Sequence, residues 1–105
     1  MVTSVEQAEQ AWPSSGASVL EDFAEFLSIP NVASDPQSLQ ATADWIVNQL
    51  SDRGIEVTTH RVGDAPPVVV GRIQGSGGPT IGVYAHYDGQ PVASHRWASP
   101  PFTPT

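Results

Sequence analysis

Thr80-Ile-Gly-Val-Tyr-Ala85 runs directly into His86-Tyr-Asp88-Gly-Gln-Pro91. The first half is apolar at successive positions, the pattern of a strand covered on both faces. Pro67-Val-Val-Val-Gly-Arg-Ile73 reads the same way through Val68, Val69 and Val70. Ile55-Glu-Val-Thr-Thr-His-Arg-Val62 alternates instead, as a half-exposed strand does. Gly75-Ser-Gly-Gly78 separates the last two segments as a turn. Three strands are therefore expected between residues 55 and 85.

Helical patterning precedes them. Asp35-Pro36 is a start signal: the aspartate can cap free amides, and proline suits the first helical position. Leu39, Ala43, Ile46, Val47 and Leu50 follow as an apolar stripe, and Gly54 sits where a left-handed stop is expected. An earlier helix is expected from about Ala17 to Ser28, with Leu20, Phe23, Ala24 and Leu27 on one face and Ile29-Pro30 closing it. Residues 1–16 read as an extension or a short helix from Thr3 to Trp12, ended by Pro13 and the break Ser14-Ser-Gly16. The expected fold class is α/β: a partial mixed sheet of about three strands with two to three helices. Strands covered on both faces need layers above and below, and two good helices are too few. From Asp88 onward no regular element can be placed, and a tail of that length is unusual in a finished compact domain. The chain is expected to be the first part of a larger α/β domain.

Composition narrows the function classes. The chain has 105 residues, a formal net charge of −7, four arginines and no lysine. No basic patch is available to neutralise phosphates or to meet an anionic bilayer, so nucleic acid and membrane surfaces are not expected partners. With no cysteine, disulfides and thiolate metal sites are excluded, and any metal must be held by histidine and carboxylate. Met1 to Glu6 lacks the basic and apolar regions of a signal peptide. No apolar run approaches the roughly 20 residues that span a bilayer. A cytoplasmic protein is the expectation.

His86 and Asp88 carry the candidate chemistry. Residues i and i+2 of an extended segment point the same way, here from the carboxyl end of the expected third strand, where ligands collect in open α/β sheets. A metal-bound imidazole donates its other ring N–H to an acceptor, and Asp88 is placed to be that acceptor. Gly89 would let the backbone turn out of the strand. Taken alone, the triplet favours a histidine satisfied by a neighbouring carboxylate with no metal.

The surrounding motifs change the balance. Tyr84-Ala-His-Tyr-Asp-Gly-Gln-Pro-Val92, Trp97-Ala-Ser-Pro-Pro-Phe-Thr-Pro104 and Phe26-Leu-Ser-Ile-Pro-Asn-Val32 resemble the zinc-dependent metallopeptidase family of aminoacylase, carnosinase, acetylornithine deacetylase and succinyl-diaminopimelate desuccinylase. The dipeptidase (carnosinase-like) branch is the most similar. The resemblance extends from about Ala17 and includes the order of elements. It implies an α/β catalytic domain with two zinc ions, His86 as a ligand of one, and Asp88 as the catalytic-site aspartate that orients it. It implies hydrolysis of dipeptides or N-acyl amino acids by metal-activated water with a glutamate base, and a possible homodimer in the full-length form. The family's bridging aspartate, adjacent glutamate pair, later carboxylate ligand and final histidine lie downstream of His-x-Asp. Residues 1–105 have no counterpart of them, nor of the lid or dimerisation domain. The expectation is an incomplete N-terminal portion of a catalytic domain, with 86–105 as active-site loop and truncated tail. One ligand does not hold zinc tightly, so this portion is expected to be inactive alone. The alternatives are a non-catalytic binding module on the same fold and a fragment that works only with a complementary chain.

Other residues have plainer readings. His60 is expected on a strand surface. His95 reads as a loop residue, with an approach to a metal pocket as the minor alternative. Tyr84 shares the His86 side and is expected to pack beneath it, as core or as support for the ligand. Trp97, Pro100, Pro101 and Phe102 read as a rigid loop packed over the missing part of the site. Trp45 is expected at the edge of its helix stripe, and Asp52 and Arg53 as ordinary surface charges.

Overall fold

The computed structural model describes residues 3–93 and 96–105. It contains two helices and a two-stranded antiparallel sheet: α1 (Ser4–Ser28), α2 (Pro36–Asp52), β1 (Glu56–His60) and β2 (Val68–Arg72). The architecture is mixed α/β.

Helix α2 follows from local signals at both ends. The Asp35 carboxylate accepts from Gln37 N at 3.1 Å, Ser38 N at 3.3 Å and Ser38 Oγ at 2.5 Å. The Ser38 hydroxyl and amide hold its pKa below the ordinary carboxylate value. At the other end Gly54 takes φ +74°, Gly54 N–H donates to Ser51 O at 2.9 Å, and Ile55 N–H donates to Leu50 O at 3.1 Å. This is a Schellman closure, with Leu50 and Ile55 as its apolar pair. Both side chains lie against Gly71 on β2, where an added Cβ would stand 3.1 Å from Ile55 Cγ2 and 3.3 Å from Leu50 Cδ1.

The core centres on Leu39 and Ala43, which are 2% and 1% exposed. Thr42 beside them is fully buried, its hydroxyl donating to Ser38 O at 2.9 Å. The hairpin pairs Val57 with Gly71 and Thr59 with Val69. Val57 and Val69 are half-buried on one face of this hairpin, whereas Val68 and Val70 on the other face are 60% and 43% exposed. Among the described residues one face of the ribbon is covered, so the 67–73 segment is not the strand covered on both faces that its valine run implied.

Helix α1 corrects the expectation of a short helix ended by Pro13 and a break at 14–16. It runs unbroken through both. Thr3 and Glu6 close a capping box, with Thr3 N–H donating to Glu6 Oε2 at 2.7 Å and Glu6 N–H to Thr3 Oγ1 at 3.2 Å. Pro13 removes one backbone donor, a local cost that the helix absorbs. Ser14 and Ser15 turn their hydroxyls back onto Ala11 O at 2.9 and 2.8 Å. Gly16 is buried under the Trp12 indole, where a Cβ would come within 2.9 Å of Trp12 Cε2. The glycine makes room for a ring one turn back. Ile29 ends the helix, as Ile29-Pro30 implied.

The helices meet through Phe26 and Trp45, whose ring centroids are 5.1 Å apart, so Trp45 packs at the edge of its stripe as expected. Arg53 is more than an isolated surface charge: its Nη2 meets Asp22 Oδ2 at 2.6 Å. Both partners are solvent-exposed, so this pair contributes little.

The third expected strand is not formed. Residues 80–85 carry no ladder, and Ile81, Val83 and Tyr84 are 85%, 93% and 91% exposed. The segment has strand-like residues and lacks the neighbours on edge and face that make a strand.

Candidate functional site

The His86–Asp88 loop is held from two sides. Tyr87 donates its hydroxyl to Pro67 O, the residue before β2, at 2.5 Å. Burial raises the Tyr87 pKa; the nearby Arg61 cation works against this and Asp88 adds to it. The phenol stays protonated as a donor. On the other side, Val32 and Gly89 form an isolated parallel bridge. Gly89 N–H donates to Asn31 O at 2.7 Å, and Ala33 N–H donates to Gly89 O at 2.9 Å. The Asn31 side-chain amide donates to Tyr87 O at 2.9 Å. The connection between α1 and α2 thus grips the loop that carries the two candidate residues.

Gly89 was expected to supply a sharp turn. It has no left-handed φ. What it supplies is space, because a Cβ there would stand 2.8 Å from Asn31 Oδ1.

His86 and Asp88 are brought together. His86 Nδ1 lies 2.9 Å from the Asp88 carbonyl oxygen and 3.3 Å from Asp88 Oδ1. A carbonyl only accepts, so Nδ1 carries the proton, and in the neutral ring Nε2 keeps its lone pair. Both side chains remain open, at 75% and 48% exposure. The partner expected for the ring was the carboxylate; the shorter contact is to the backbone carbonyl of the same residue. An open cavity of about 630 Å³ lies beside the pair and reaches Phe26, Leu39, Ile46 and Val69.

The remaining candidates divide. His60 is exposed on β1, with its Nε2 3.3 Å from Thr58 Oγ1. His95 lies outside the described residues. Tyr84 does not pack beneath His86; without a formed strand under it, its side chain stands in solvent. Trp97, Pro100, Pro101 and Phe102 line a second cavity of about 430 Å³ together with Phe26 and Leu27, so the tail turns back onto the end of α1.

Among the described residues no three histidine or acidic side chains gather at one point. A zinc site takes three or four protein ligands. His86 and Asp88 by themselves do not make that set. Sequence reasoning missed Asn31 and Tyr87. Asn31 carried one usable signal, since an asparagine after Ile29-Pro30 in a helix–helix connection is a ready side-chain hydrogen bonder.

No family model, no curated protein and no solved structure matches the chain.

Proposed function

We propose that these 105 residues form the N-terminal part of a zinc-dependent amidohydrolase catalytic domain of the dipeptidase type. In this reading His86 ligates one of two zinc ions through Nε2, and Asp88 holds the ring in the orientation that requires. The remaining ligands and the general base come from outside residues 1–105, and the substrate is a dipeptide or an N-acyl amino acid. When bound, the metal pair would supply an activated water and polarise the scissile carbonyl. The observation that carries the proposal is the His86–Asp88 contact, which engages Nδ1 and leaves Nε2 outside it, on a ring that lines an open cavity. In the completed domain, residues 80–85 form the third strand of the sheet. A cytoplasmic location goes with this reading; the described residues contain no helix long and apolar enough to cross a membrane.

A second reading is favoured by the exposure of Ile81, Val83 and Tyr84. The chain would then work only with a complementary polypeptide that covers this segment, and the function would belong to the pair.

One experiment separates the readings. The 105-residue chain, and the chain together with any coding sequence that follows it, are assayed for dipeptide hydrolysis with and without chelator. Chelator-sensitive hydrolysis by the longer protein, lost on His86→Ala, supports the first reading. Activity that appears only on co-expression of a separate chain supports the second. Full activity of the longer protein carrying His86→Ala sinks the ligand assignment.

A further inference from the structure

We propose that Asn31 is a positioning residue that sets the tautomer of His86. Its use as a ligand-orienting device rests on the proposed function; the tautomer itself does not.

The argument starts from the peptide bond. A trans peptide is planar, and its C=O and N–H point in opposite directions. The Asp88–Gly89 peptide offers its N–H to Asn31 O at 2.7 Å. That contact turns the Asp88 carbonyl the other way, and the atom it meets is His86 Nδ1 at 2.9 Å. The preceding peptide, Tyr87–Asp88, is held through its carbonyl by the Asn31 side-chain amide at 2.9 Å. Both peptide units flanking Asp88 are therefore bonded to one residue, once through its main chain and once through its side chain. A carbonyl so fixed rewards a proton on Nδ1 and leaves Nε2 as the free lone pair. In an unconstrained histidine the neutral ring favours the other tautomer. The space that permits this grip comes from Gly89, whose missing Cβ would otherwise meet Asn31 Oδ1 at 2.8 Å.

Donor geometry distinguishes this from mere packing. Asn31→Asp keeps the shape and replaces the amide donor with an oxygen facing the Tyr87 carbonyl. Gly89→Ala keeps Asn31 and drives its side-chain end away, because that end is the movable partner in the clash.

The test is a long-range proton–nitrogen correlation spectrum of the ring-labelled 105-residue chain. It is recorded at about pH 8.5, about two units above the ordinary histidine pKa. In the unsubstituted chain His86 should show a protonated Nδ1 and an unprotonated Nε2. Asn31→Ala, Asn31→Asp and Gly89→Ala remove or displace the side-chain half of the grip and leave the main-chain bond, so each should move both nitrogens part of the way towards the averaged positions of a free histidine. The dispersed resonances of Leu39 and Ala43 should stay, showing the core intact. Asn31→Ala with Gly89→Ala should be no worse than Asn31→Ala alone. The isosteric Asn31→Asp decides the matter if Asn31→Ala disturbs the core. A His86 ring already averaged in the unsubstituted chain overturns the proposal, as does a ring unchanged by Asn31→Asp and Gly89→Ala. Neither result depends on zinc or turnover, so failure of the proposed hydrolase would leave a fixed tautomer standing, and the reverse.

Discussion

Helix α2 and residues 80–85 are both rich in apolar side chains, and they end in opposite states. In α2 the apolar positions fall on one stripe, and the hairpin that follows in sequence supplies the surface that covers it. Leu39 is 2% exposed and Ala43 1%. In residues 80–85 the apolar positions fall on both sides, and Val83 is 93% exposed. A helix satisfies its own backbone and needs one apolar neighbour. A strand needs an edge partner for its amides and a cover for each apolar face. Hydrophobicity alone does not decide burial; the number of neighbours an element requires does.

The largest expected effect lies in the self-sufficient region. Leu39→Ala should lower unfolding free energy by about 2–5 kcal/mol in urea titrations, because it empties a buried site against the hairpin. A loss below that range would mean that α2 and the hairpin are not packed as described. Gly54→Ala comes next. Its φ of +74° is left-handed, so an alanine there should cost about 1–2 kcal/mol, with the same denaturation midpoint as the readout.

Tyr87→Phe tests the seam between the two regions. Removing the bond to Pro67 O should cost about 1 kcal/mol. The pH dependence has a defined sign. Because the folded-state pKa of Tyr87 is raised, the stabilisation is complete below the ordinary tyrosine pKa and is lost as pH rises through the raised value. Tyr87→Phe should remove this alkaline component, measured as stability against pH. The smallest effect is Val83→Ser, which should leave stability within about 0.5 kcal/mol of the unsubstituted chain. If it matched Leu39→Ala, the contrast between the two regions would collapse.

Much of the fold was legible where the signals are local. The Asp35 cap, Pro36, the stripe from Leu39 to Leu50 and the Gly54 stop all act within a few residues, and α2 follows them. The two strands were legible with frayed ends, since Ile55 and Val62 lie just outside β1, but their antiparallel pairing and the open face at Val68 and Val70 were not. Pro13 and Gly16 misled because their usual meaning is a break. Here the loss of one backbone donor is tolerated, and the glycine accommodates the Trp12 ring. The third strand was expected from its residue types and is not formed, because pairing is a property of neighbours. At the site, the juxtaposition of His86 and Asp88 was legible from a period of two. The grip of Asn31 was not, since it joins residues 56 positions apart in the chain.

Zinc titration of the 105-residue chain, followed on the His86 ring resonances, tests the central claim most directly. The account predicts that His86 Nε2 responds first, that saturation needs millimolar metal, and that the response disappears in His86→Ala. A tight one-to-one site would contradict the claim that the ligand set is incomplete, and zinc binding that leaves the His86 ring untouched would contradict its role as a ligand.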